Sequence, residues 1–193
     1  QWEPLWDDIT RIADRVLKNP GTQPQPHFLG AVVLQQLATP IGLMQARTII
    51  DGQQRLTTLQ LVLDALHAEL VAVNAIQPAM RLEALVTNPV PYCTPPEDRF
   101  KVWPTNRDRP AFNAVMGATP PINYDALGHT EAKLAKGHRF FSEQARDWLQ
   151  AGGPEAVQMR AAAIETVVRD RLQVVVIDLA ADENAQEIFE TLN

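Results

Sequence analysis

The sequence is poor in several features that would point to a particular chemistry. It carries a single cysteine, Cys93, so no internal disulfide can form and no cysteine cluster can hold zinc. Cys93 sits among Pro91, Pro95 and Pro96 and reads as a loop thiol, which fits a reducing cytoplasm. No apolar run approaches the ~20 residues that span a bilayer, and no signal peptide is visible. Basic residues are not in excess: 17 Lys and Arg stand against 23 Asp and Glu, a formal net charge of −6. A chain that coats nucleic acid by bulk positive charge is therefore disfavoured, whereas a local basic groove is not. The histidines His27, His67, His129 and His138 show neither HxH nor HExxH spacing and read as structural or exposed residues. The phosphate-loop pattern GxxxxGK(S/T) and the dinucleotide pattern GxGxxG are both missing. So is a paired His and Asn in the setting of an HNH nuclease.

What is present is an alternation of periodicities. Leu5, Trp6, Ile9, Ala13, Val16 and Leu17 share one helical face, which predicts a helix over residues 5–17, closed by Asn19-Pro20-Gly21. A nearly continuous apolar run, residues 28–34, predicts a strand buried on both faces, and residues 47–50 predict a second strand. Leu56, Leu59, Leu63, Leu66, Leu70 and Val73 then recur at three- and four-residue steps, marking a long helix over about 54–74. Residues 77–130 are proline-rich, and only 81–86 and 109–116 look helical there. Helices are expected at 131–150 and 154–171, a β-branched strand at 173–179, and a last helix at 183–192 capped by Asp182. The fold class expected is α+β, a small mixed sheet with a helical portion around it. The expected organisation is a core of about 1–76, a helical and loop portion of about 77–171, and a closing strand and helix at 172–193. The chain lacks an initiator Met and stops at Asn193 without a cap, so a piece of a longer protein is expected.

The segment with chemical content is Asp51-Gly52-Gln53-Gln54-Arg55, set between a strand and the long helix. Gly52 allows a sharp turn, and the free N–H groups of the first helical turn then face whatever sits above them, reinforced by the helix dipole. Arg55 has the fork geometry for a phosphate, Thr57 and Thr58 offer hydroxyls, and Asp51 is placed to hold Mg²⁺ or to orient a water. Gln53 and Gln54 are neutral groups suited to a water or a base edge. The same spacing is equally compatible with Asp51 as a cap, Gly52 as a turn residue and Arg55 as a surface ion-pair partner.

Ile49-Ile50-Asp51-Gly52-Gln53-Gln54-Arg55-Leu56-Thr57-Thr58-Leu59 resembles the signature of the GmrSD restriction endonuclease N-terminal domain family. The likeness continues on both sides, in Leu5-Trp6-Asp7-Asp8-Ile9, in His27-Phe28-Leu29-Gly30-Ala31-Val32, in Lys101-Val102-Trp103-Pro104-Thr105-Asn106-Arg107-Asp108, and in Ala185-Gln186-Glu187-Ile188-Phe189-Glu190-Thr191-Leu192-Asn193. The resemblance implies a ParB/sulfiredoxin-like core whose strand–loop–helix turn holds nucleotide phosphates. It also implies defence against phage or modified DNA, phosphorothioate DNA included. NTP (GTP or ATP) would be bound and hydrolysed with Mg²⁺, and a separate HNH-type nuclease domain or subunit would cut the DNA.

The expected functional residues are accordingly Asp51, Gln53, Gln54 and Arg55 for catalysis, Gly52 to Arg55 with Thr57 and Thr58 for nucleotide binding, and Asp51 for the metal. Arg99, Lys101, Arg107 and Arg109 gather near Trp103, so Lys101, Trp103 and Arg107 are candidate DNA or base contacts. Glu97, Asp98 and Asp108 among them equally suit a self-neutralised surface. A homo-oligomer is compatible with the sequence. The rival to an NTPase is a non-hydrolytic module that recognises modified DNA or a partner subunit. A domain that itself nicks DNA is disfavoured by the missing metal-nuclease cluster.

Overall fold

A computed structural model describes residues 2–22, 24–93 and 98–183. The helices are α1 (Glu3–Lys18), α2 (Gln53–Ala72), α3 (Ile76–Val86), α4 (Arg109–Met116), α5 (Lys133–Gln150) and α6 (Val157–Asp170), and the strands are β1 (His27–Gln36), β2 (Arg47–Asp51) and β3 (Leu172–Leu179). Short 3₁₀ turns lie at Val90–Tyr92, Tyr124–Ala126 and Pro154–Ala156. The result is the α+β class expected from the sequence, with a small mixed sheet and a helical majority.

The sheet has the order β2-β1-β3. β1 runs antiparallel to β2 and parallel to β3, so the strand closest to the C-terminus is the partner of the first strand. β1 is central in hydrogen bonding, yet only Val32 and Val33 along it are buried and Phe28 is exposed. The apolar run therefore reports a central strand, not one covered on both faces. Its hydrogen-bonded position comes from having a neighbour on each side, which apolar character alone does not encode.

The helices share one cluster of buried side chains, including Ile9 and Ile12 of α1, Leu61, Leu66 and Leu70 of α2, Leu82 of α3, Phe112 of α4, Phe141 and Leu149 of α5 and Ile164 of α6. α2 lies at its centre, against α3 and α5, while α1 packs on α6. For that reason the leucine stripe is not the only buried face of α2: Leu56, Leu59 and Leu63 on it are half-buried and Leu66 and Leu70 sealed, while Leu61, Val62 and Ala65 off it are sealed too. A helix surrounded by neighbours has no single wet face to define a stripe. α3 also runs longer than expected, because Pro78 falls in its first turn, where the missing N–H has no helical acceptor to lose. The closing helix expected at 183–192, with Glu187 and Glu190, lies outside the described residues beyond Glu183.

Two buried polar sets join α2 to α5. Glu69 accepts a hydrogen bond from Ser142 Oγ and takes Arg146 as a fork, Nη2 at 2.8 Å and Nε at 3.1 Å. Asp64 Oδ2 lies 2.9 Å from His138 Nε2, and His138 Nδ1 lies 2.8 Å from the Tyr124 hydroxyl. His138 is fully buried, so it belongs to the core and holds the 124–127 turn to the helices. Burial, with Glu69 and Asp64 nearby, pushes the Tyr124 hydroxyl up to about 12 from 10.0. The folded state thus keeps this proton more tightly than the unfolded chain. The stabilisation is intact below about pH 10 and is lost as pH rises through about 12. Denaturant unfolding of the wild type and Tyr124→Phe between pH 8 and pH 11.5 should show a steeper alkaline loss for the wild type; equal slopes would refute this assignment.

Candidate functional site

The turn after β2 is built around one glycine. Asp51 pairs with Val33 of β1, and the register shifts between Val33 and Leu34. Gly52 then adopts φ 91°, ψ 13°, a left-handed conformation that disfavours any side chain. A Cβ here would also stand 2.5 Å from Val32 Cγ1. Gly52, not Asp51, is the N-cap of α2, and no side chain caps the helix. The Leu56 N–H closes the first turn on the Gly52 carbonyl at 3.0 Å. The N–H groups of Gln53, Gln54 and Arg55 precede that bond and have no helical acceptor, which leaves a partly positive helix end.

The side chains of the turn diverge. Gln53 Nε2 donates to the Trp103 carbonyl at 2.8 Å and to Thr57 Oγ1 at 3.2 Å, so it ties the helix start to the segment after α3. Thr57 is buried, and Thr58 donates back to the Gln54 carbonyl at 2.8 Å. The Arg55 guanidinium donates through Nη1 to the Ala31 carbonyl of β1. It lies against Gly30, where a Cβ would stand 3.0 Å from Arg55 Cζ, beside the register shift between Phe28 and Ala31. Asp51 is exposed and has no hydrogen bond or ion pair among the described residues.

A cleft of about 550 Å³ opens where Gln53 meets the sheet and the Lys101–Pro104 segment. That segment is clipped to the end of α3 by Lys101 N–H to the Val86 carbonyl and Asn88 N–H to the Arg99 carbonyl, each 2.9 Å. Gln53, Lys101 and Trp103, all expected from the sequence, line this cleft together. Gln54, Arg55 and Thr58 instead line a separate groove of about 220 Å³ beside Leu5, Leu29 and Leu59. Arg107 is exposed and does not line the cleft.

Trp103 is half-buried, with its ring centroid 5.3 Å from that of Phe100 and 5.6 Å from that of Phe112. It is anchored in the core and presents only part of its surface to the cleft. Among the described residues the cations lining the cleft are Arg47, Lys101 and Arg109, against one carboxylate, Asp98. Lys101 Nζ lies 3.1 Å from Asn88 Oδ1. Arg47 makes a fork onto Asp178 of β3, Nε at 2.9 Å and Nη2 at 3.0 Å, and this bond holds the Asp178 carboxyl below its ordinary range. Arg47 was not legible as a site residue, because its partner lies 131 positions away and meets it only across β1.

Among the described residues no group of three or more His, Cys, Asp or Glu is placed to hold a metal ion. A single free carboxylate such as Asp51 suits Mg²⁺ only where ligand phosphates and waters complete the octahedron. Gly52→Ala combines a left-handed backbone with a clash against a β1 residue. The clash is with the Val32 side chain, Cγ1 at 2.5 Å and Cβ at 3.0 Å, and the change should cost about 2–4 kcal/mol in denaturant unfolding; a loss below about 1 kcal/mol would show that the turn relaxes freely.

Among the described residues no helix is long and apolar enough to cross a membrane. No curated protein matches the sequence. The family model described as GmrSD restriction endonuclease, N-terminal domain, matches residues 1–193, the whole chain. With the DGQQR turn opening α2 above a cation-lined cleft, the chain belongs to the GmrSD restriction endonuclease N-terminal domain family, a family of restriction-system components.

Proposed function

We propose that this domain binds a nucleoside triphosphate, GTP or ATP, with Mg²⁺ in the cleft between the start of α2 and the Lys101–Pro104 segment, and hydrolyses it within a restriction protein. The observation that carries this reading is one cleft, large enough for a nucleotide, lined together by Gln53, the first residue of a helix without a side-chain cap, and by three cations. The backbone of Gly52 to Arg55 and the Lys101 ammonium supply positive potential to the phosphates. Gln53, fixed by the Trp103 carbonyl and Thr57, orients its amide oxygen. Asp51 is free to accept a hydrated cation at the mouth of the turn, and Mg²⁺ there would neutralise phosphate charge. Gln54, Thr58 and Arg55 contribute by fixing the turn to the helix and to β1. The nucleotide state would then govern an HNH-type nuclease domain or subunit acting on modified double-stranded DNA in the cytoplasm.

One observation favours the second reading, a binding module without hydrolysis. Arg55, the cation of the motif, is engaged with the Ala31 carbonyl, so it does not stand ready to meet charge that develops in a transition state. In that reading the same cleft would hold a backbone phosphate of modified DNA or of a partner.

Calorimetric titration of the full-length protein with GTP and ATP in Mg²⁺, alongside hydrolysis with and without phosphorothioate DNA, separates the two. Micromolar binding that Lys101→Ala weakens about tenfold is expected from the loss of one charged contact. Absence of nucleotide binding in the wild type would overturn the proposal in favour of the DNA module, and binding without turnover would confine it to sensing.

A further inference from the structure

Arg109 is the first residue of α4, and its guanidinium carbon lies 5.3 Å from the centroid of the Trp103 ring. It lines the same cleft as Gln53 and Lys101. Its Nε is buried, and no acceptor reaches it. No carboxylate pairs with the guanidinium among the described residues. A buried N–H without an acceptor is costly, and native structures rarely keep one without a reason.

The other cations near the turn are differently placed. The Arg55 guanidinium is engaged with β1 and faces the smaller groove. Arg47 is neutralised in part by Asp178, and Lys101 is steadied by Asn88. Arg109 alone of these combines a wall position in the cleft, an aromatic ring beside its guanidinium, and no hydrogen-bond or ion-pair partner among the described residues.

We propose that Arg109 is the anion clamp of this cleft. Its two Nη groups grip two oxygens of a phosphate chain end-on, beside the Trp103 ring. A planar two-donor edge matches two phosphate oxygens, and an ammonium cannot reproduce it. The inference rests on the nucleotide reading above and assigns the phosphate contact within it to a residue outside the DGQQR motif.

The test titrates the full-length wild type, Arg109→Lys and Arg109→Ala with Mg-GTP, with inorganic triphosphate and with guanosine, and repeats the series with Mg-ATP and adenosine. Thermal melts monitor folding. Arg109→Ala should weaken triphosphate and nucleotide binding about ten- to hundredfold, with nucleoside binding changed less than about twofold. Arg109→Lys keeps a cation beside Trp103 and serves as the folded control. It should still lose at least about fivefold, because one ammonium cannot reproduce the paired guanidinium donors. A wild type that binds nucleotide while both variants bind it equally well overturns this proposal alone. Loss of nucleoside and nucleotide affinity in equal measure assigns Arg109 to the base and also overturns it. A wild type that binds no nucleotide or triphosphate overturns both this proposal and the reading on which it rests.

Discussion

The seating of the first turn of α2 against β1 is the constraint on which the remaining geometry depends. Val32 comes so close to Gly52 that only a residue without a side chain fits, and one turn later Arg55 reaches the Ala31 carbonyl beside the register shift in β1. These two contacts fix both the height and the direction of the helix over the sheet. α2 then carries the alignment into the core, where Asp64 and Glu69 hold α5 through His138, Ser142 and Arg146. A displacement at Gly52 would therefore be felt along 20 residues of a helix that is packed on most sides.

That seating also divides the motif into two jobs. The residues after Gly52 leave the helix on different sides, as successive positions of a 3.6-residue turn must. Gln53 is directed to the cleft and to the Trp103 carbonyl, while Gln54, Arg55 and Thr58 are directed to the other groove. A run of polar residues that reads in sequence as one phosphate cradle is thus part ligand surface and part fastening. The positive charge of the cleft comes instead from β2, from the segment that follows α3 and from the start of α4.

Much of the fold was legible because its elements are locally determined. The bounds of α4, the β-branched β3 and the strand–turn–helix at Gly52 follow from residues within a few positions of one another. Lys101 and Trp103 stood out in the sequence as cations beside an aromatic, candidate DNA or base contacts, and not as partners of the turn. What escaped the sequence is mostly non-local: Arg47 beside Asp178, Arg55 on Ala31, and the Asp64–His138–Tyr124 set. Each depends on which surfaces meet after folding, and no periodicity records that. His138 illustrates the point, since an isolated histidine in the sequence is a fully buried junction in the molecule.

The parallel pairing of β1 with β3 joins the beginning of the domain to residues 172–179. During synthesis, β2 can form its hairpin with β1 soon after both emerge, but the other edge of β1 must wait for well over a hundred further residues. Closing so long a loop is slow relative to building the helices between, which rest on nearer contacts. The sheet that carries the DGQQR turn is therefore finished last, and until then β1 presents an open edge and Arg47 lacks the carboxylate that steadies it. In this topology a nascent chain carries every residue that lines the cleft long before it carries the strand that steadies Arg47.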